Sequence, residues 1–416
     1  MQLDDSGRLL KKLAWTKKEQ AWTPLRTYTD REGNIWQGTR NGGLLMIPYA
    51  YQGIRKRNLP SSGNQYLKRL LRTPDDRVLG ITENGQIYDI GTDTIKRIYQ
   101  AKSGKYFRTA AWMDDQLLLS FADELLLLSI DANTIRAQSF TAIYNNCFWL
   151  DLHQRVPLLM PTSSLRNFTS VIYLPEKKQL FSVSKFNVIF RWNLALPNGD
   201  PCQVSLLPDK ARLLYLHPQT GTIYGGDIDG LSVLKNEKLL PFLRHEADLK
   251  NISALFGTPG KLWIGTESNG LFCYHLATKE LEKIIPNNHI RAIRPDGNRG
   301  ILVATNNGVF IVPAEQPGNF QHFTHLEGLP SLEINDVLAL GDSVLLVASS
   351  EGLHELQRHT SALPPPAKNA FQLKAIYADE VPVQAKELAE LPYTTKQLDF
   401  AFQLRSYASK GDIQYQ

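Results

Sequence analysis

Short apolar runs of four to seven residues recur along this chain, separated by polar turns that contain glycine. The clearest example is GKLWIGTESNGLFCY, from Gly260 to Tyr274, and GNIWQGTRNGGLLMI, from Gly33 to Ile47, has the same arrangement. β-Branched and aromatic residues alternate or cluster in these runs, and none has the i, i+3, i+4, i+7 spacing of an amphipathic helix. The pattern predicts short β-strands joined by tight turns.

The same unit occurs eight times, and its copies can be aligned on one bulky residue each. These residues are Trp36, Leu79, Leu118, Phe181, Tyr224, Trp263, Leu302 and Leu346. Six of the seven steps between them are 39 to 44 residues long, and the longer third step predicts an insertion around residues 131–168. Four strands per period of about 40 residues is typical of a β-propeller blade, whereas a parallel β-helix has repeats of about half that length.

The bulky residue of each unit is predicted to lie between blades, because small twisted sheets bury their faces only against one another. We expect each such side chain to contribute about 1.5–3 kcal/mol as core rather than to stack on a ligand. The glycine that follows each central turn is predicted to supply the positive φ that the turn needs. These glycines are Gly42, Gly85, Gly230, Gly270, Gly308 and Gly352.

The repeat pattern stops before SALPPPAKNAF, from Ser361 to Phe371. Three consecutive prolines form a stiff spacer, and the alternating residues that follow predict further strands. The sequence therefore predicts an all-β chain with a β-propeller over residues 1–362, a proline linker over 363–366 and part of a β-sandwich over 367–416.

Two sets of residues resemble a known family. The units GNIWQGT and GKLWIGTESNGL resemble the two-component regulator propeller repeat, and LPYTTKQLDFAFQLRSYASKGDIQYQ resembles the opening half of the three-tyrosine (YYY) domain that follows such propellers. Tyr407 and Tyr415 match two of the aromatic positions that give that domain its name. The resemblance is strong at the first, sixth and seventh units and weak at the third and fourth, which lack the Trp-x-Gly-Thr core.

In that family the propeller and the YYY domain form the periplasmic sensor of a membrane histidine kinase or hybrid two-component system. The resemblance implies a periplasmic location, a homodimer in the full-length sensor, and attachment to the membrane only through segments outside this chain. It also implies tandem seven-bladed rings, so that residues 1–65 would be the last blade of a preceding ring and residues 66–362 a complete ring. A single eight-bladed ring is the alternative. Both ends are then interpreted as cuts through a larger protein.

Composition narrows the possible partners. The chain has 416 residues, of which 43% are hydrophobic and 21% charged, as in a folded protein. Forty-six Lys and Arg against 41 Asp and Glu leave a net charge of +5, too small to indicate a nucleic acid partner. The three cysteines show no paired spacing, and no apolar run approaches the ~18 residues of a membrane span.

Candidate chemistry is sparse, so no catalytic residue, metal site or cofactor is predicted. His322 and His325 would point to opposite faces of a strand. Asp227 and Asp229 lie in a turn and lack the further carboxylates of a calcium loop. The acidic pairs at 75–76 and 114–115 also occupy turns. No nucleophile elbow, phosphate loop or kinase histidine box is present.

Propeller geometry itself predicts a candidate site. The turn between the second and third strands lies at the same end as the connections between blades, so the residues before each repeat glycine should surround one mouth of the central channel. We call this set the collar: Arg40, Asn41, Glu83, Asn84, Ser268, Asn269, Asn306, Asn307, Ser350 and Glu351. Its amides suit a neutral polar ligand such as a sugar, although Asn and Ser are also ordinary turn residues.

The leading hypothesis is a non-catalytic sensing module that binds a polar nutrient, with an oligosaccharide as a candidate by family analogy, and relays its occupancy toward a histidine kinase. A propeller enzyme, such as a lyase or glycosidase, is the alternative. An enzyme should place two Asp, Glu or His side chains within about 10 Å of each other at the channel mouth. A protein-binding propeller of the WD-repeat kind is disfavoured because the Trp-Asp ending is absent.

Overall fold

A computed structural model defines the fold and describes most of the chain. It covers residues 2–3, 9–11, 24–30, 34–40, 43–47, 53–60, 66–101, 106–121, 125–130, 135–140, 148–150, 168–184, 186–194, 203–244, 246–325, 327–358, 372–384, 386, 388, 391–392 and 394–403. These residues form mainly β-strands and turns, with a short 3-10 helix at Pro175–Lys177. The predicted all-β fold is confirmed.

Seven sheets of at least four strands make up one compact unit, residues 55–325 and 329–357. In blades 1 to 3 the strands are Leu67–Arg72, Val78–Thr82, Gln86–Ile90 and Ile95–Gln100; Phe107–Met113, Gln116–Phe121, Leu125–Ile130 and Ile135–Ser139; and Phe168–Leu174, Gln179–Ser184, Val188–Asn193 and Gln203–Lys210. Phe148–Leu150, from the predicted insertion, pairs in parallel with the last of these as a fifth strand of blade 3.

Blades 4 to 7 follow the same order. Their strands are Leu213–Leu216, Ile223–Gly226, Leu231–Lys235 and Lys238–Pro241; Ile252–Thr258, Lys261–Thr266, Gly270–His275 and Leu281–Pro286; Ile290–Pro295, Gly300–Thr305, Gly308–Pro313 and Gln321–Phe323; and Ile334–Leu340, Val344–Ser349 and Gly352–Gln357. The fourth strand of blade 7 is Ile54–Arg57, from before blade 1. This strand covers a sheet edge that would otherwise be open.

The blades form a closed ring. First strands of successive blades contact one another from blade 2 to blade 7, and the first strand of blade 7 contacts the first strand of blade 1. Blades 1 and 2 are joined by Lys68, which donates to the carbonyl of Phe107 at 3.4 Å. The first strands therefore surround the central axis. The ring has seven blades, as in the first of the two predicted arrangements. It includes Ile54–Arg57, which the sequence had assigned to a preceding blade.

The core lies between neighbouring blades, as the repeat predicts. Trp263 of blade 5 is 1% exposed and packs with Ile290 and Ile301 of blade 6. Leu346 of blade 7 packs in the same way with Leu70 of blade 1. The equivalent residues in the other blades are also buried: Leu79, Leu118, Phe181, Tyr224 and Leu302.

Positive φ is also found where the repeat requires it. Gly85, Gly230, Gly270, Gly308 and Gly352 all have φ between 75° and 130°. Gly42 lies outside the described residues, but the position equivalent to Gly270 in the first unit is Gly43, with φ +78°, and not the predicted Gly42, because the strand after the turn begins at Gly43.

The first repeat unit belongs to a second compact unit, residues 1–54, 326–328 and 358–416. Its sheets are Pro24–Thr29, Ile35–Thr39 and Gly43–Ile47; Val381–Val383, Gln372–Ala378 and Leu398–Gln403; and the pair Gln2–Leu3 with Leu9–Lys11. The proline linker at 363–366 and the predicted YYY positions Tyr407 and Tyr415 lie outside the described residues. No helix among the residues described is long and apolar enough to cross a membrane.

Candidate functional site

One end of the ring carries both the central turns and the connections between blades. Backbone amides in the turns donate to carbonyls that immediately precede the first strand of the same blade. The pairs are Glu83 to Tyr66 (3.3 Å), Glu267 to Asn251 (3.0 Å), Asn306 to His289 (3.2 Å) and Ser350 to Glu333 (3.4 Å). These bonds hold each turn beside the start of an inner strand, which is the geometry that the collar prediction requires.

The structure distributes the collar residues unevenly. Arg40 is exposed, but it follows the strand Ile35–Thr39 in the second compact unit, and Asn41 lies outside the described residues. The other eight belong to blades 1, 5, 6 and 7. Half-buried are Glu83, Asn84, Asn269 and Ser350, and exposed are Ser268, Asn306, Asn307 and Glu351.

Several collar side chains already hold their own turns together. Asn84 Oδ1 accepts a hydrogen bond from Thr82 Oγ1 at 2.6 Å. Asn269 Nδ2 donates to the carbonyl of Asp248 at 2.8 Å, and Asn306 Oδ1 accepts from the backbone amide of His289 at 3.1 Å. These amides therefore stabilise the turns. Ligand binding by the collar stays a prediction.

A concentration of positive charge on the inner strands was missed by the sequence analysis. Across the seven first strands there are six cationic residues and one carboxylate: Lys68, Arg69, Arg72, Arg108, Arg291 and Arg294 against Asp336. The chain as a whole has nearly balanced charges. Aligning the first strands of the repeats, rather than the turns, would have revealed this imbalance.

The carboxylate on these strands is fully engaged. Asp336 has no solvent exposure and accepts two hydrogen bonds from Arg294, Nε to Oδ1 at 2.8 Å and a terminal nitrogen to Oδ2 at 2.7 Å. It also accepts from the backbone amides of Leu70 at 3.0 Å and Val337 at 3.1 Å. A bidentate guanidinium and two backbone donors occupy most of the lone-pair positions of this carboxylate.

Arg69 lies beside this ion pair. Burial and the positive charge of Arg294 lower the pKa of Arg69 to about 10, while Asp336 opposes the shift. Arg69 belongs to blade 1 and Arg294 to blade 6, with blade 7 between them. Asp336 of blade 7 joins them, because it binds Arg294 and accepts a hydrogen bond from the amide of Leu70, the residue after Arg69.

A second group of hydrogen bonds, centred on Asn335 of blade 7, connects this blade to blades 1 and 6 near the mouth. Asn335 Oδ1 accepts from Arg291 at 2.9 Å and from the hydroxyl of Tyr66 at 3.1 Å. Its amide nitrogen donates to the carbonyl of Leu67 at 2.8 Å. The Nε of Arg291 is buried and has no hydrogen-bond partner among the residues described.

Cationic character extends around the mouth. Burial together with Arg291 and Arg212 lowers the pKa of His289, with Glu267 acting in the opposite direction. Glu267 is paired with Arg212 at 2.9 Å. Burial, followed by Arg108 and Arg69 among the neighbouring cations, lowers the pKa of Lys68 despite the opposing charge of Glu83.

A separate cavity of about 370 Å³ lies between blades 3 and 4 at the opposite end of the ring. It lies beside the connection from the first to the second strand of blade 3, and an ion pair joins Arg191 and Glu237 in its wall. Its remaining lining residues are Leu174, Lys177, Gln179, Phe181, Leu207, Gly221, Thr222, Ile223, Val233, Leu234, Lys235 and Asn236. The collar and the basic inner strands do not contribute to this cavity.

The acidic pairs noted in the sequence occupy turns, as predicted. Asp227 Oδ1 accepts from the amides of Asp229 at 2.8 Å and Gly230 at 2.9 Å, and its other oxygen pairs with Arg244. His322 Nε2 contacts the carbonyl of Asn307 at 2.6 Å. No group of three or more His, Cys, Asp or Glu side chains able to hold a metal ion is found in the described part of the chain.

Comparison with known proteins supports the fold. No protein-family model and no curated protein matches the chain. Among solved structures, it is similar to the extracellular domain of a protein assigned as the hybrid two-component system BT4673 of B. thetaiotaomicron, with 15% identity, a TM-score of 0.53, 77% of this chain covered and 40% of that one. The corresponding domain of BT3049 from the same organism gives 14% identity, a TM-score of 0.54, and coverage of 73% and 41%. The chain therefore spans about two fifths of these domains, and the likeness establishes a shared fold.

Proposed function

We propose that this chain is a non-catalytic ligand-sensing module of an extracytoplasmic two-component sensor. In this proposal it binds a polar nutrient, with an oligosaccharide as the candidate class, and relays occupancy toward a membrane histidine kinase. The observation that carries the proposal is the closed seven-bladed ring, whose fold matches extracellular domains of proteins assigned as hybrid two-component systems.

The chemistry of the ring supports a binding role. The end that carries the collar offers exposed polar side chains on short turns that backbone hydrogen bonds hold in place. Rigid turns are suited to recognition because little conformational entropy is lost when a ligand binds. Two carboxylates at this end are already paired, Asp336 with Arg294 and Glu267 with Arg212, so neither is free for acid–base chemistry.

A thermal-unfolding screen tests binding directly. The 416-residue chain is heated with neutral and acidic mono- and oligosaccharides, and a true ligand should raise Tm in a saturable way by mass action. Asn307→Ala, which removes an exposed collar amide of blade 6, should weaken the effect of a collar-bound ligand. Asn319→Ala, in an exposed turn at the opposite end of the same blade, is the matched control. Absence of any saturable shift across the panel would contradict the proposal.

Relay and catalysis need separate measurements. Autophosphorylation of a full-length hybrid kinase that carries this chain as its extracellular part should change when the ligand is added. Product analysis after prolonged incubation of the chain with the bound saccharide distinguishes a sensor from a lyase or glycosidase. A sensor returns the saccharide intact, whereas turnover would favour the alternative.

A further inference from the structure

The axial channel contains more positive charge than its own carboxylate can balance. Arg69 and Arg294 lie on the first strands of blades 1 and 6, on either side of blade 7, with Asp336 of blade 7 as the acidic neighbour of both. Arg294 takes both oxygens of this carboxylate in a bidentate pair. Since backbone amides occupy further lone-pair positions, Asp336 is not available to bind Arg69 directly.

Arg69 is consequently the unsatisfied cation of this group. No residue that the structure describes forms a hydrogen bond or ion pair with its guanidinium. A guanidinium carries five N–H donors and keeps its charge at any ordinary pH. The Arg69 side chain is half-buried and lies beside the positive charge of Arg294, so its own charge lowers the stability of the free protein.

From this geometry we infer that the channel binds a ligand bearing an oxyanion group, a carboxylate, sulfate or phosphate, with Arg69 as its anchor. Guanidinium groups bind all three groups through paired N–H donors. Lys68, Arg108 and Arg291 lie on first strands nearer the mouth, one position after the first residue of each strand, and attract an anion toward it. The ligand is therefore acidic, rather than the neutral sugar that the amide-rich collar suggested.

The inference rests on the proposed function only in taking a saccharide as the scaffold of the ligand. Four matched probes separate the contributions: glucose, glucuronate, glucose 6-sulfate and glucose 6-phosphate. They share one ring and differ in the anionic group, so they also distinguish a carboxylate from a sulfate or phosphate source. Inorganic sulfate and phosphate serve as probes without a sugar.

Calorimetric titration and thermal unfolding of the full chain provide the readouts. At least one anionic probe should bind more tightly than glucose, and its affinity should fall as NaCl is raised. Arg69→Gln should weaken this binding by at least about tenfold, the effect expected for losing hydrogen bonds to a charged group. Arg69→Lys keeps the charge but not the paired donors, so it should give an intermediate affinity.

The same substitution separates a ligand anchor from a structural residue. Because Arg69→Gln removes a cation that lies beside Arg294 and has no partner of its own among the described residues, the ligand-free variant should unfold at an equal or higher Tm than the wild type. Arg72→Gln is the control, since Arg72 ends the same strand at the opposite end of the ring, where it pairs with Asp76. It should leave anion binding unchanged.

Each result decides the question. A lower Tm for ligand-free Arg69→Gln, together with unaltered anion affinity, would overturn the inference and make Arg69 structural. Equal binding of glucose and its acidic derivatives would also overturn it, while leaving the proposed sensing function intact. Anion binding that disappears in Arg69→Gln supports the inference even if no saccharide alters kinase activity.

Discussion

Two copies of one repeat reach different environments in this molecule. The sheet around Trp36 and the sheet around Trp263 have the same register, since Trp36 pairs with Met46 as Trp263 pairs with Cys273. Yet Trp263 is 1% exposed and Trp36 only half-buried. The leucines after the turn differ more: Leu271 of blade 5 has no exposure, and the equivalent Leu44 is 66% exposed.

The difference shows what the repeat encodes and what it does not. Strand length, pairing and turn are local, so both copies build the same antiparallel sheet from similar sequences. Burial depends on neighbouring blades. The Trp263 sheet has such neighbours on both sides because it is a blade of the ring. In both copies the indole nitrogen donates a hydrogen bond to a residue close in sequence, Asp30 at 2.7 Å for Trp36 and Thr258 at 2.9 Å for Trp263.

Replacing the two tryptophans should expose this difference most strongly. Trp263→Ala should lower the free energy of unfolding by about 3–5 kcal/mol, because it leaves a large cavity between blades 5 and 6. Trp36→Ala should cost about 1 kcal/mol or less, since its side chain is only partly removed from water. Urea unfolding followed by circular dichroism measures both without depending on tryptophan fluorescence. Equal costs would mean that the first repeat is packed as firmly as a blade of the ring.

The strand that completes blade 7 offers the next test. Arg57 is 4% exposed, donates to the carbonyls of Gly91 (2.7 Å) and Thr92 (2.8 Å) in blade 1, and pairs with Glu355 of blade 7. Arg57→Met should destabilise the ring by about 3 kcal/mol, because it leaves the largely buried carboxylate of Glu355, 12% exposed, without its main partner.

Arg55 provides the control on the same strand. Its side chain is 66% exposed and lies 3.9 Å from Glu355. Arg55→Met should change the free energy of unfolding by less than about 0.5 kcal/mol. If both variants unfold like the wild type, Ile54–Arg57 does not close the ring.

Equivalent glycines sharpen the comparison at the level of the backbone. Gly270 has φ +96°, and a Cβ there would lie 1.7 Å from the carbonyl oxygen of Ile285. Gly43, its equivalent in the first repeat, has φ +78° and no described atom within 4 Å of such a Cβ. Gly270→Ala should therefore cost at least about 2–3 kcal/mol, and Gly43→Ala about 1 kcal/mol from φ alone. Similar unfolding midpoints for both would contradict the packing assigned to the turn of blade 5.

The sequence predicted the parts of this molecule that depend on local pattern. Period, strand order and the positive φ of Gly85 and Gly308 follow from residues close together in the chain. The position of Ile54–Arg57 in blade 7 does not, because its partner strand lies about 300 residues away. Likewise the pairing of Asp336 with Arg294, and the exclusion of Arg69 from it, depends on three blades meeting at one axis. The collar residues, which lie in the turns, had therefore predicted a neutral polar ligand.

The smallest predicted effect concerns a histidine that the ring buries and the first repeat does not have. His354, on the third strand of blade 7, is 3% exposed, and burial with the nearby charge of Lys56 lowers its pKa to about 4. The unfolded chain takes up this proton near pH 6.5, so between these values the unfolded state binds more protons and stability falls as pH is lowered. From pH 7.5 to pH 5 the titration of His354 should lower the free energy of unfolding by about 2 kcal/mol.

His354→Gln should reduce the loss of stability between pH 7.5 and pH 5 by this amount, whatever the effect of the substitution at pH 7.5. His275→Gln, on the third strand of blade 5 and partly exposed, is the matched control. A His354→Gln profile as steep as the wild type would show that another group senses the acid, and that blade 7 does not bury this imidazole.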